Sequence, residues 1–211
     1  MRKIKFIVFL VVTVLLTACG TTSKVPITGR KQNLLVSDEQ VLSLSGQQYQ
    51  EYMKTAKAST DATNTAMVKR VGQKLSTAVE NYLRANGLAD EVKNYAWEFN
   101  LVQNQQVNAF CMPGGKIVVY EGLLPITQNE ASLAIVLGHE IAHAVAKHSA
   151  ERLSNEYKKQ YGMQILSGVA SAAGVDAGLA QLGTSVLGIG AQAWSSGFSR
   201  SQESEADHIG L

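Results

Sequence analysis

The chain has 211 residues, of which 45% are hydrophobic and 17% are charged, and its formal net charge is +2. This composition is typical of a globular protein with its own hydrophobic core and argues against large-scale disorder. The sequence contains no cluster of basic residues of the kind that binds phosphates, so we expect no nucleic-acid partner.

Residues 1–18 have the pattern of a cleaved signal peptide. Basic residues near the start precede an uncharged apolar run at 6–16, which is too short to span a bilayer comfortably. The following LTAC resembles a bacterial lipobox, in which cleavage occurs before Cys19 and the cysteine is acylated. An ordinary signal peptide followed by a chance cysteine is the alternative. Because Gly20 rather than an aspartate follows, resemblance to lipoproteins predicts a periplasm-facing protein anchored in the outer membrane of a bacterial envelope.

Residues 19–37 are predicted to form the lipid anchor and a polar tether, which is interrupted by Pro26 and Gly29. We therefore place the folded domain at 38–211. If Cys19 carries lipid, Cys111 has no cysteine partner, and no disulfide framework stabilises the domain.

Two amphipathic helices begin the domain. Ser37 and Gln40 have the spacing of a capping box, and apolar residues follow at helical intervals as far as Met53. A second helix is predicted from about Thr63 to Ala85, closed by Asn86 and a glycine. The apolar stripes of both helices are expected to face the core.

Three short strands are predicted next, at 95–102, 107–112 and 116–120, with a turn at 113–115. They would form a small, largely antiparallel sheet. Together with the helices they predict a mainly helical α+β fold.

A long helix is predicted after the sheet, capped by Thr127 with Glu130 three residues later, and running to about Tyr157. Residues 162–194 are rich in small and apolar residues. They predict a buried helical hairpin, with membrane contact as the alternative. A final helix is expected from about Ser199.

The stretch GHEIAHAVAKH, residues 138–148, has the spacing of a metal site. His139 and His143 are four residues apart, about 40° around a helix, so both imidazoles share one face and can bind one Zn²⁺. Glu140 points about 100° away from His139, which places its carboxylate beside the ion, where it can move a proton. His148 lies about 140° round from His143 and is predicted to face away from the metal. The alternative is that this spacing is accidental and that His139 and His143 are ordinary residues of a helix.

A third ligand is expected near the end of the chain, because a catalytic zinc takes three protein ligands. Glu203 and Asp207 are again four apart, so on one helical face they offer a ligand and an acceptor for the other N–H of a ligand histidine. His208 is a further candidate ligand, but the carboxylates have the better spacing. If the pattern is accidental, both carboxylates are solvated surface charges.

Three motifs in order carry a family resemblance: HEIAH, VNAFCMPGGKIVVYEGLL and FSRSQESEAD. Together they resemble the zinc metallopeptidases of the CAAX-prenyl-protease/HtpX-like family, family forty-eight of the metallopeptidases, and most closely its bacterial periplasmic lipoprotein branch. The resemblance implies a gluzincin-type domain with one Zn²⁺ per chain, bound by His139, His143 and Glu203.

The same resemblance implies roles for other residues. Glu140 is implied to be the general base, and Asp207 to support a zinc-binding histidine. An extended substrate peptide is implied to dock along the strand edge at Asn108 and Ala109. Members of this family usually continue beyond this point, so we expect the domain to be truncated at its C-terminus, and the oxyanion-stabilising residue is left unassigned.

The resulting hypothesis is a membrane-tethered zinc endopeptidase that hydrolyses misfolded or misassembled envelope proteins. Its expected partners are protein or peptide substrates, the membrane through its lipid, and the outer-membrane assembly machinery. One alternative is a chaperone-like assembly factor for outer-membrane proteins with little proteolysis. Another is a lipoprotein scaffold without catalytic activity.

Overall fold

The computed structural model describes residues 21–166 and 197–211. The predicted signal peptide, Cys19 and nearly all of the predicted apolar hairpin lie outside the described residues. Within these residues, none of the helices combines the length and the apolar character needed to cross a bilayer.

The described elements are helices and short strands, and the strands are grouped in one hairpin and one three-stranded sheet. In chain order they are β1 (Thr21–Lys24), β2 (Lys31–Leu34), α1 (Asp38–Thr55), α2 (Ala62–Ala85), a 3₁₀ helix (Ala89–Asn94), β3 (Glu98–Val102), β4 (Ala109–Met112), β5 (Lys116–Tyr120), a second 3₁₀ helix (Glu121–Leu123), α3 (Leu124–Thr127), α4 (Glu130–Val145), α5 (His148–Leu166) and α6 (Arg200–Gly210). The predicted α+β class is confirmed.

The segment predicted as a tether is largely folded against the domain. β1 and β2 pair as an antiparallel hairpin, and Val25, Leu34 and Val36 are buried. The turn between the strands is possible because Gly29 has a positive φ of 67°. The prediction differs from the structure here because the polar residues that indicated a tether alternate with these few apolar ones.

Helix α1 begins as predicted. The Ser37 hydroxyl accepts a hydrogen bond from the Gln40 amide, and the Gln40 side chain accepts one from the Ser37 amide. Helix α2 starts close to the predicted Thr63, and its N-cap is Asp61, whose carboxylate accepts a hydrogen bond from the Asn64 amide at 2.9 Å.

The prediction of one long helix at 127–157 is wrong about the start of the helix and about its middle, where the chain turns. Its N-cap is Asn129, because Thr127 ends the short α3 and Gln128 turns the chain with a φ of 61°. The helix then ends near Ala146. Lys147 has a φ of 55°, so the chain turns sharply before α5 starts at His148.

The sheet differs in part from the prediction. β5 lies in the middle, paired in parallel with β3 and antiparallel with β4, so the three-stranded sheet is mixed. The predicted turn between β4 and β5 is confirmed, and Gly114 and Gly115 supply its positive φ angles.

Both faces of the sheet are buried, which explains why β5 is apolar from Ile117 to Tyr120. Ile117 and Val119 join a core cluster with α2 and α4, whereas Val118 and Tyr120 join a second cluster with α1, β2 and α5. The sheet is therefore the middle layer, and α4 packs directly against β4, α2 and α6.

Candidate metal centre

The centre is built where α4 and α6 cross. A Cβ atom placed on Gly138 of α4 would lie 2.4 Å from the carbonyl oxygen of Gly210 in α6. Only glycine permits this approach, so the two backbones are in direct contact at the crossing. This contact brings the histidines of α4 next to the first turn of α6, in which Glu203 lies.

Three side chains from these helices form a compact triangle of ligand atoms. His139 Nε2 and His143 Nε2 are 3.1 Å apart, and Glu203 Oε2 lies 3.3 Å from the first and 3.7 Å from the second. Donor atoms at about 2.0–2.1 Å from a tetrahedral Zn²⁺ are roughly 3.3–3.4 Å from one another. The triangle therefore fits one such ion, and these are the three residues among the described ones that group as a candidate metal site.

Each histidine is held through its other ring nitrogen. Asp207 Oδ1 lies 2.8 Å from His139 Nδ1, and because a carboxylate only accepts, the proton of His139 is on Nδ1. His143 Nδ1 contacts Nδ1 of His148 at 2.9 Å. Both ligand-forming Nε2 atoms thus point into the triangle.

The three ligand candidates differ in exposure. The side chain of His143 is 4% exposed, that of His139 25% and that of Glu203 46%. Among the described residues, the site therefore opens on the Glu203 side. Burial, followed by the neighbouring charges of His148 and His139, lowers the pKa of His143 to about 3, so it is neutral at physiological pH, as a metal ligand must be.

The ring of His143 is also covered by an aromatic side chain. Phe198 stacks on it with 4.1 Å between centroids and 19° between planes, and the guanidinium of Arg152 lies 5.5 Å from the Phe198 ring. Phe198 immediately precedes Ser199, which caps α6 in a capping box with Gln202. The stack therefore attaches the start of α6 to α4.

Glu140 lies beside the triangle and outside it. Burial, and next the negative charge of Glu203, raise the pKa of Glu140 to about 8. A divalent cation at the neighbouring ligands would favour the charged carboxylate instead. A partly buried carboxyl group with such a perturbed pKa is typical of a residue that moves protons.

Strand β4 lies at the sheet edge next to this site. The Asn108 carbonyl accepts from the Tyr120 amide at 3.0 Å, and ladder alternation therefore turns the amide and carbonyl of Ala109 and Cys111 toward the other side. No strand within 21–166 or 197–211 pairs with that side. Helix α4, which carries Glu140, packs against β4, so this edge strand lies beside the helix of the metal centre.

The structure brings some of the predicted site residues to the histidines of α4 and leaves others apart from them. Glu203 and Asp207 both reach the histidines of α4, whereas His208 is exposed. His148, predicted to face away, contacts His143 because the turn at Lys147 redirects the chain, and no local pattern indicates that turn.

Sequence reasoning also missed two residues around the ligands. Phe198 and Glu205 both lie within the motif FSRSQESEAD, but nothing in their spacing indicates a contact with the histidines. The carboxylate of Glu205 lies 3.0 Å from His148 Nε2.

Comparison with known proteins gives a consistent result. Residues 65–211 match Peptidase family M48, and this region contains the whole triangle and Glu140. The chain is 36% identical over 137 residues to mitochondrial metalloendopeptidase OMA1 of Schizosaccharomyces pombe, covering 65% of this chain and 37% of the relative. It is 30% identical over 188 residues to metalloendopeptidase OMA1, mitochondrial, of Bos taurus, covering 88% of this chain and 35% of the relative.

A bacterial relative is the beta-barrel assembly-enhancing protease of Escherichia coli strain K12. It is 32% identical over 126 residues, covering 58% of this chain and 25% of the relative. The chain thus spans between a quarter and about two fifths of the length of these three relatives.

Proposed function

The chain belongs to Peptidase family M48, and from that premise we propose that it is a zinc-dependent endopeptidase of the bacterial envelope. Family membership implies a metal-dependent peptidase. The observation that carries the proposal is the triangle of His139, His143 and Glu203, with the partly buried carboxyl of Glu140 next to it. Two imidazoles and one carboxylate are a donor set that suits zinc in hydrolytic enzymes.

In the proposed mechanism, His139, His143 and Glu203 would hold the ion. When bound, zinc supplies Lewis acidity toward a water molecule and a peptide carbonyl. Glu140 takes the proton released by the attacking water at its carboxylate and delivers it to the leaving peptide nitrogen. Asp207 keeps His139 in the tautomer with a free Nε2 lone pair.

Substrate binding is proposed along β4, as an extended peptide that adds to the open edge at Asn108 and Ala109. The outward amide and carbonyl of Ala109 would pair with the peptide backbone. Such binding fixes the backbone of the substrate and leaves its side chains free to vary, which suits an enzyme that acts on unfolded segments of many proteins.

We further propose that the substrates are proteins of the envelope, in a quality-control role connected with outer-membrane assembly. The printed name of the E. coli relative, beta-barrel assembly-enhancing protease, supports this assignment. The finer branch, bacterial periplasmic lipoproteins of the family, and the location at the outer membrane are supported by the LTAC motif that ends at Cys19. A chaperone-like assembly factor with little proteolysis is the second candidate, favoured by the word "assembly" in the same name.

The test is the substitution Glu140→Gln in the full chain, purified in detergent. The zinc content should remain one per chain, because Glu140 is not a ligand, and the rate of casein cleavage should fall by about 10²–10⁴-fold. Glu130→Gln, the same change at the exposed start of α4, is the matched control and should leave both unchanged. Undiminished cleavage by Glu140→Gln, or no stoichiometric zinc in the wild type, would remove the proposal. If Glu140→Gln still rescues an envelope defect in cells, the chaperone-like function is favoured over proteolysis.

A further inference from the structure

A partly buried ionic cluster lies behind the metal centre. The guanidinium of Arg30, in the turn between β1 and β2, donates from both terminal nitrogens to the carboxylate of Glu151 at 2.8 and 2.9 Å. Its Nε donates to Glu205 Oε2 at 2.7 Å. Thr28, in the same turn, donates to the other oxygen of Glu205. One arginine of the hairpin therefore joins α5, which carries Glu151, to α6, which carries Glu205.

The cluster reaches the ligand candidate His143 through one residue. His148 is fully buried, its Nε2 lies 3.0 Å from Glu205 Oε2, and its Nδ1 lies 2.9 Å from His143 Nδ1. Both ring nitrogens of His148 are thus used. The connection runs from Arg30 through Glu205 and His148 to His143.

The hydrogen-bond acceptors in this connection decide which ring nitrogen of each histidine carries a proton. Glu205 already accepts from Arg30 and Thr28, and a carboxylate has no proton to donate, so His148 Nε2 carries the proton of that contact. The Nδ1 of a neutral His148 is then a lone pair, which accepts the proton on His143 Nδ1. The Nε2 of His143 is left as a lone pair, and this atom faces His139 and Glu203.

We propose that His148 is a positioning residue that holds His143 in the metal-binding tautomer and orientation, and that Arg30 of the N-terminal hairpin holds Glu205 in place for it. This inference rests on the proposed function, because it treats His143 as a metal ligand. It assigns to His143 the kind of support that Asp207 gives to His139, through an imidazole instead of a carboxylate.

The proposal also gives the hairpin a role in the site. β1 and β2 lie outside the matched residues 65–211, yet Arg30 contacts a carboxylate on each of the two helices that flank the ligand. The side chains of Glu151 and Glu205 are 14% and 6% exposed, so without Arg30 two mostly buried carboxylates would lose their shared cationic partner. Such a change would move Glu205 and release His148.

Two substitutions of His148 separate its two contacts. In His148→Asn the side-chain oxygen stands where Nδ1 was and can still accept from His143, although the contact with Glu205 is lost. In His148→Gln the terminal amide can still reach Glu205, but no acceptor remains beside His143 Nδ1. We expect the zinc affinity of the full chain to fall about 10–100-fold in His148→Gln and by no more than about tenfold in His148→Asn, which keeps the acceptor for His143 but loses the link to Glu205.

A matched pair of substitutions tests the hairpin. Arg30→Met removes the link between Glu151 and Glu205, whereas Arg70→Met removes an exposed ion pair with Glu130 that does not touch the site. Arg30→Met should weaken zinc binding about tenfold and should change the visible absorption spectrum of the Co²⁺-substituted protein. Arg70→Met should change neither. Equal behaviour of the two variants would overturn the assignment of Arg30.

A measurement without metal separates this inference from the proposed function. In the metal-free wild type, long-range ¹H–¹⁵N spectra should show the proton of His143 on Nδ1 and that of His148 on Nε2. A protein that shows these tautomers but binds no zinc contradicts the proposed function alone. A zinc-binding protein with the proton of His143 on Nε2 in the metal-free state, or with equal affinities for His148→Gln and wild type, overturns the positioning role.

Discussion

The crossing of α4 and α6 at Gly138 allows a quantitative prediction. In Gly138→Ala the added Cβ would lie 2.4 Å from the Gly210 carbonyl oxygen, whereas ordinary contact begins near 3.4 Å. The difference, 3.4 − 2.4 = 1.0 Å, is the distance by which α6 must move near Gly210. Glu203 lies about 10 Å back along the same rigid helix, so it shifts away from the histidines by a similar amount.

A displacement of this size should affect catalysis more than stability. A misplacement of about 1 Å can lower an enzymatic rate about 100-fold, and this is the decrease that we expect in kcat/KM. Overpacking costs about 1–3 kcal/mol of unfolding free energy, and the better helix propensity of alanine returns about 1 kcal/mol. The net destabilisation is therefore about 0–2 kcal/mol.

Gly46→Ala in α1 is the matched control, since nothing lies within 4 Å of a Cβ atom built there. It should raise the unfolding free energy by roughly 0.5–1 kcal/mol and leave kcat/KM unchanged. The assays are thermal unfolding, zinc content and cleavage of an unstructured fluorescent peptide. A Gly138→Ala enzyme with wild-type kcat/KM and full zinc occupancy would refute the claim that this backbone contact sets the position of Glu203.

Three further predictions concern other parts of the chain. Asp207→Ala should lower zinc affinity about 10–100-fold in a chelator competition assay, because its partner histidine loses the acceptor that orients it. The hydrogen bond from Lys116 holds the pKa of Glu98 below its ordinary value, so the charged form stabilises the fold above pH about 4.3, and this contribution is lost as the pH falls through the lowered pKa. Glu98→Gln should therefore be less stable than wild type at pH 7, by under about 1 kcal/mol because Glu98 is half exposed, and equally stable at pH 2 in urea unfolding. Cells that express Cys19→Ala should incorporate no radiolabelled palmitate into the protein, whereas variants of the buried Cys111 should be labelled like wild type.

The part of the site that follows from helical geometry could be predicted from the sequence. The interval of four between His139 and His143, and again between Glu203 and Asp207, places each pair on one face of any helix, whatever surrounds it. The capping box at Ser37 and the turn at Gly114 are equally local, since they depend on residues within a few positions of each other. These features therefore needed no knowledge of the fold.

Other features depended on contacts that no local pattern contains. The pairing of β3 with β5 is parallel. The strand between them in sequence, β4, pairs on the far side of β5. The hairpin at 21–34 folds onto the domain because its few apolar residues pack against α5 and the sheet. Periodicity within each segment is the same whether or not such partners exist.

The sequence by itself determined which residue types share a helical face, and hence that a metal site with a neighbouring base was chemically possible. Only the tertiary structure decided that the two faces meet, through the backbone contact of Gly138 with Gly210. It also decided that His148 and Arg30 stand behind His143, because the left-handed turn at Lys147 and the docked hairpin bring them there. The physical reason is that hydrogen-bonding geometry along a helix is fixed by near neighbours, whereas the approach of distant segments is fixed by the packing of the whole core.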